Sequence, residues 1–138
     1  MNLHNQSTLS YGDYDINDYL KGSFACECGR EHSAAIKHIE IKEAALSSLI
    51  PYLKANSFSK PFLIFDKTTY KLAHDLLINL FNEANHAFSC HIIDSPEPVP
   101  DEWAVGDILI HFDSSADCII GVGSGTINDL SRFVSFRL

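Results

Sequence analysis

Nine consecutive residues, Gly121-Val122-Gly123-Ser124-Gly125-Thr126-Ile127-Asn128-Asp129, carry the strongest chemical signal in the chain. They follow Asp117-Cys118-Ile119-Ile120-Gly121-Val122, which reads as a buried strand, and they open a helical pattern. Glycines let a backbone turn tightly and approach an anion, and a helix N-terminus offers free N–H groups and partial positive charge. Ser124 and Thr126 add hydroxyl donors, so a pyrophosphate is the natural ligand. The alternative is a plain strand-to-helix turn with Thr126 as its cap. A second candidate, Asp66, closes the apolar run Phe62-Leu63-Ile64-Phe65. In a parallel sheet it reaches the same edge as the glycine loop, where its carboxylate could accept hydrogen bonds from a ribose. It could equally cap the helix beginning Lys67-Thr68-Thr69, and the two roles can coexist. A P-loop is excluded because no Gly-Lys-Ser/Thr is present. The usual dinucleotide fold has its glycine loop after the first strand and its acid about 20 residues later. Here the acid comes first.

Cys26-Glu27-Cys28-Gly29-Arg30-Glu31-His32 offers two sulfurs and an imidazole. Structural zinc generally takes four ligands and C-x₂₋₄-C spacing, so C-x-C is the poorer chelate and a reduced loop is the simpler reading. A disulfide across one residue would be strained. Cys90 and Cys118 fall inside strands and read as small core residues. His38, His74, His86, His91 and His111 read as surface or packing residues. Ser124 lies in a phosphate-type loop with no Asp/His partners following in hydrolase order, which argues against a serine hydrolase.

The positioning elements are regular from residue 35. Ile36, Ile39 and Ile41 suggest a short strand, and Leu46, Leu49, Ile50 and Leu53 mark a helix over about 43–56. Phe62–Phe65 is a strand buried on both faces, and Ala73, Leu76, Leu77, Leu80 and Phe81 line a helix over 68–84. Phe88–Ile93 is a strand, and Pro100-Asp101-Glu102 opens a helix carrying Val105, Ile108, Leu109 and Phe112. Strand and helix thus alternate four times, which predicts an α/β fold: an open parallel sheet with helices on both faces, joined by right-handed crossovers. Residues 1–34 read as an arm with at most one helical turn near Ile16–Leu20. The α/β domain is expected over 35–138. Phe133, Val134 and Phe136 look made for burial, which suggests a chain that stops within a larger architecture.

Composition narrows the function classes. The 138 residues are 46% hydrophobic and carry ten Lys plus Arg against eighteen Asp plus Glu, a formal charge of −8. That balance argues against nucleic acid as partner. No apolar run approaches the ~20 residues of a membrane span. Met1-Asn2-Leu3-His4-Asn5-Gln6 shows no export signal, so a cytoplasmic setting with reduced cysteines is expected.

Phe65-Asp66-Lys67-Thr68-Thr69 and the stretch from Gly121 through Asp129-Leu130-Ser131-Arg132-Phe133 resemble the sn-glycerol-1-phosphate dehydrogenase branch of the dehydroquinate synthase-like, iron-containing alcohol dehydrogenase superfamily. The resemblance covers roughly residues 24–138, including a Cys-x-Cys-Gly stretch before the first strand. It implies an oxidoreductase fragment that binds NAD or NADP, with Gly123, Ser124, Gly125, Thr126 and Ile127 at the pyrophosphate and Asp66 at the adenine-side ribose. Asp129 is implied to organise the loop and helix. Arg132 stands where many relatives carry Lys. The family's metal, zinc or nickel, is held by an Asp and two His of a C-terminal all-helical domain. No residue here is therefore assigned to it, and the chain alone is expected to be inactive. The complete enzyme would reduce dihydroxyacetone phosphate, a small phosphorylated substrate, as a homo-oligomer. Two other readings remain: a non-catalytic dinucleotide-binding module or partial gene product, and a dehydroquinate synthase-like lyase, which the loop's Ser and Thr disfavour.

Overall fold

The computed structural model describes residue 20 and residues 22–33, 35–95 and 97–138. The expected turn before Leu20 lies outside these. The chain divides into two compact units, Met1–Ala45 and Leu46–Leu138.

In the first unit, β1 (Ser23–Ala25) and β2 (Glu31–Ser33) pair antiparallel, with Phe24 opposite His32. This hairpin replaces part of the irregular arm expected from the sequence. Gly29, at φ 79°, supplies the left-handed turn residue that closes the loop. Residues 35–41 form no strand. Their isoleucines are β-branched but not in strict alternation, and a strand also needs a partner with which to share hydrogen bonds.

In the second unit, β3 (Pro61–Asp66) is central, with β4 (Ser89–Ile93) and β5 (Cys118–Val122) parallel on either side. The sheet is α/β and open, as predicted, with three strands among the described residues rather than four. β3 is buried along its whole length. Its residues alternate between two cores. Phe62 and Ile64 face α3 (Glu102–His111) and α4 (Gly125–Arg137) through Ala104, Ile108, Ile127, Leu130 and Val134. Leu63 and Phe65 face α1 (Leu49–Ala55) and α2 (Lys67–Glu83) through Ile50, Leu53, Leu77 and Phe81. β5 is only half-buried, because it lies at the edge of this sheet. Cys90 is likewise exposed on the edge strand β4 rather than in the core.

Two further departures have local causes. α1 begins at Leu49, after a 3₁₀ turn over Ala45–Ser48, instead of near residue 43. Pro51 explains it: proline fits the first helical turn, but further inside it loses a hydrogen bond and clashes with the carbonyl four residues back. In α4, Val134 is buried while Phe133 and Phe136 are exposed, the latter by 86%.

The amino ends of β3 and β5 are pinned together by carboxylates. Asp117 Oδ2 accepts from the Ser59 N–H at 2.6 Å and hydroxyl at 2.7 Å, and Oδ1 accepts from the Lys60 N–H at 3.1 Å. Lys60 Nζ pairs with Asp113 at 2.7 Å. Hydrogen bonds from Ser59 hold Asp117, and Lys60 followed by Ser115 holds Asp113, below the usual carboxylate range. α4 meanwhile lies close on β5. A Cβ at Gly121 would stand 2.5 Å from Ser131 Oγ, and one at Gly123 would stand 2.6 Å from Ile127 Cβ. At Gly125 a Cβ meets nothing within 4 Å.

Two outcomes are expected. Gly123→Ala should lower stability by about 1–3 kcal/mol through overpacking, while Gly125→Ala stays within about 0.5 kcal/mol, as read from urea unfolding. The lowered carboxylates contribute stability that is present above the usual carboxylate range and lost as pH falls through their folded values. The urea midpoint should therefore hold down to about pH 5 and drop below about pH 4, with a shallower drop in Asp117→Asn.

Candidate functional site

The glycine loop and Asp66 meet at the carboxyl edge of the sheet. Phe65 of β3 is in register with Val122 of β5, so Asp66 and Gly123 each stand one residue beyond that pair. α2 then passes to one face and α4 to the other. Neighbouring strands whose helices diverge in this way leave a crevice at the topological switch point, where open α/β sheets bind ligands.

One wall is closely tied. Asp66 is buried, and its Oδ1 accepts the N–H groups of Thr68 at 2.8 Å and Thr69 at 2.7 Å. Thr69 Oγ1 accepts the Asp66 N–H at 3.2 Å, completing a capping box. The same hydroxyl donates its one proton to the Val122 carbonyl at 2.6 Å. That bond links the first turn of α2 to the last residue of β5. Both backbone bonds to Asp66 converge on Oδ1, so capping leaves Oδ2 able to accept from elsewhere. Lys67 pairs with Asp94, beyond β4, at an exposed position where such a pair adds little stability.

The other wall is open. Ser124 is the N-cap of α4 and makes no side-chain cap bond, unlike Asp66 on α2 and Asp101 on α3, which accepts the Ala104 N–H at 2.9 Å. Asn128 N–H donates to the Ser124 carbonyl at 3.0 Å, so the N–H groups of Gly125, Thr126 and Ile127 precede the helix's own ladder. Gly125 faces open space. Ile127 buries its side chain completely, which leaves only its backbone for a ligand. Asp129 is exposed, and its carboxylate makes no hydrogen bond to the loop among the described residues. With Arg132, Phe133 and Phe136 it lines a shallow hollow. These donors, the open position at Gly125 and the Asp66 carboxylate suit an anion joined to a hydroxyl-bearing group.

Two further clusters gather side chains that could hold a metal. Cys26, Cys28 and His32 converge at the hairpin turn, where Cys28 Sγ lies 3.1 Å from His32 Nε2. Hydrogen bonds from the Cys28 backbone and side chain lower the Cys26 thiol below its ordinary value. The other cluster, His91, Asp107 and His111, went unrecognised in the sequence. His91 Nε2 lies 2.7 Å from Asp107 Oδ2, and His111 stacks on His91 with centroids 4.3 Å apart. The i,i+4 spacing of Asp107 and His111 was a signal in α3, but only strand–helix packing brings in His91. His111 Nδ1 donates to the Asp107 carbonyl at 2.8 Å, which occupies the nitrogen nearest the carboxylate. Burial, and then the Asp117 carboxylate, push the Cys118 thiol up to about 11, so it is no nucleophile at neutral pH.

The chain is similar to known proteins. A family model described as iron-containing alcohol dehydrogenase matches residues 40–138. The chain is 30% identical over 128 residues to a Bacillus licheniformis protein named glycerol-1-phosphate dehydrogenase (NAD(P)+), covering 89% of this chain and 32% of that one. It is 32% identical over 105 residues to the Bacillus subtilis protein of the same name, covering 74% and 27%. With that of Geobacillus thermodenitrificans the identity is 26% over 121 residues, covering 84% and 30%. The chain therefore spans about a third of the length of these curated relatives.

Thr69 separates fold from site. Thr69→Val should cost about 1–2 kcal/mol of stability by removing the hydroxyl's bonds to the Val122 carbonyl and the Asp66 N–H, and Thr69→Ser should retain most of it. Denaturant midpoints of the two variants provide the comparison.

Proposed function

The chain belongs to the iron-containing alcohol dehydrogenase family, and from that premise we propose that it is the cofactor-binding portion of a glycerol-1-phosphate dehydrogenase. The observation that supports this most is the crevice itself: an uncapped, sterically open helix start at Gly125 beside a buried carboxylate at Asp66. In this reading the N–H groups of Gly125, Thr126 and Ile127, with the Ser124 and Thr126 hydroxyls, take the dinucleotide pyrophosphate. Gly121 and Gly123 act differently, by letting α4 lie close on β5. Asp66 keeps its capping bonds on Oδ1 and turns Oδ2 to the ribose.

The charges at this edge bear on the choice between NAD and NADP. Asp66 and Asp94 supply two carboxylates, and the cation between them, Lys67, is already paired with Asp94. A ribose 2′-hydroxyl suits that setting better than a 2′-phosphate does, so we infer a preference for NAD over NADP. The complete enzyme would reduce dihydroxyacetone phosphate, with a bound zinc or nickel supplying the Lewis acid. We assign no ligand of that metal to this chain, whose part is to bind and orient the dinucleotide. Turnover is therefore not expected from these residues alone. The same proposal includes a self-associated, cytoplasmic enzyme.

Calorimetric titration with NADH tests the reading. Gly125→Val should abolish binding while the fold persists, because the added side chain fills the approach to the α4 N–H groups and its Cβ meets nothing within 4 Å. Asp66→Asn, which still caps a helix, should weaken NADH by about 1–2 kcal/mol with little loss of stability. Unchanged affinity in both folded variants would remove the crevice as the cofactor site.

A further inference from the structure

We propose that the β1–β2 hairpin is a zinc-binding clip, with Cys26 Sγ, Cys28 Sγ and His32 Nε2 as its protein ligands. This proposal does not depend on the dehydrogenase reading.

Hairpin geometry makes up for the short C-x-C spacing. Cys26 N–H donates to the Arg30 carbonyl at 3.0 Å, and Gly29 N–H donates to the Cys26 carbonyl at 2.9 Å. Those bonds close a three-residue loop, Glu27-Cys28-Gly29, with Gly29 left-handed at its end. The loop lifts Cys28 over the turn, while the strand register carries His32 back along β2, opposite Phe24. His32 Nε2 then lies 3.1 Å from Cys28 Sγ, and all three donor atoms fall within 4.8 Å of one another. On a tetrahedral zinc, donors at ordinary bond lengths are about 3.3–3.8 Å apart. Side-chain torsions alone can supply the remaining contraction, with the backbone unchanged.

Two more observations point the same way. The Cys28 N–H is directed at Cys26 Sγ, at 3.5 Å. Such a bond supports a metal-bound thiolate in the way that outer hydrogen bonds orient other metal ligands. The hairpin is also short and open to solvent along β2. Its strands are three residues each, every β2 residue is exposed, and Ser23 Oγ donates to Glu31 Oε1 at 2.7 Å across the pair. Isolated two-stranded hairpins are marginal in water, and small units of this kind are commonly stapled by a disulfide or a metal. The four described cysteines are free, so a disulfide is not the staple here.

Two thiolates and an imidazole form a soft donor set that selects zinc over magnesium or calcium. Binding releases the two thiol protons to solvent and leaves the site without net charge. Water would complete the coordination at this exposed turn. The His91, Asp107 and His111 cluster is the poorer candidate, because the His111 nitrogen nearest the carboxylate is already committed to a backbone carbonyl.

The test uses the tag-free 138-residue chain, stripped with chelator under reducing conditions. Cobalt(II) should bind at one equivalent, with the intense visible bands of a tetrahedral site and a thiolate-to-metal charge-transfer band. Zinc should displace it stoichiometrically. In Cys26→Ser/Cys28→Ser the charge-transfer band should vanish, and zinc affinity against a chromophoric chelator should fall more than ~100-fold. That exceeds the ~10–100-fold expected from losing a supporting hydrogen bond alone. His32→Gln should keep the charge-transfer band but weaken zinc, and Asp107→Asn should leave both unchanged. The proposal is overturned if the wild-type chain binds no cobalt or binds it without a thiolate band. It is equally overturned if zinc affinity survives the double cysteine variant or is lost in Asp107→Asn.

Discussion

β3 has no exposed face, and most of the α/β unit follows from that constraint. Phe62 and Ile64 must be covered on one side, Leu63 and Phe65 on the other. A strand buried on both faces needs helices in two layers, so the helix after β3 and the helix after β5 cannot share one. With right-handed crossovers, β4 and β5 then fall on opposite sides of β3. The divergence of α2 and α4 at the carboxyl edge is a result of core packing. The crevice comes with it, and any ligand chemistry there is added to a geometry that burial had already fixed.

The two helix starts at that edge are finished in opposite ways. At α2 the orphan N–H groups are satisfied internally by Asp66, and Thr69 carries the closure across to β5. At α4 the side chain of the N-cap makes no such bond. A helix terminus left to solvent forgoes about 0.5–2 kcal/mol that a capping side chain commonly provides. Gly121 and Gly123 press α4 onto β5, and the tightness of that packing, not a cap, holds the helix in place. Rigidity below and vacancy above is what a backbone anion site requires, since the donors must be fixed before the ligand arrives.

Much of this was legible in the sequence, because it was written locally. Phe62–Phe65 announced a doubly buried strand, Asp66 a cap, Asp101 a helix start, and the glycine stretch a strand-to-helix loop. The failures were of two kinds. Pro51 lies inside the Leu46–Leu53 stripe, and its clash with the carbonyl four residues back shortens α1 whatever the stripe predicts. Ile36, Ile39 and Ile41 have the residue type of a strand, but strand formation depends on a partner that type does not reveal. The remaining features were non-local. His91 meets Asp107 and His111 only when β4 packs on α3, and His32 meets Cys28 only through a hairpin register. Spacing along the chain carries no trace of such meetings.

A chain of formal charge −8 is an unpromising partner for an anionic dinucleotide, and the conflict shows which electrostatics matter. Repulsion from scattered surface carboxylates is screened over about 8 Å at physiological ionic strength. A helix N-terminus acts at hydrogen-bond distance through N–H groups that have no other acceptor, where screening has little room to operate. Net charge therefore bears on how fast an anion arrives, and the local donors decide whether it stays. The acidic surface has a selective effect as well. An anion that can reach several N–H groups at once offsets the general repulsion, while one that makes a single contact does not. On that argument the acidity of the chain and an anion site at Gly125 are compatible, and together they favour an extended, multiply hydrogen-bonding ligand over a simple ion.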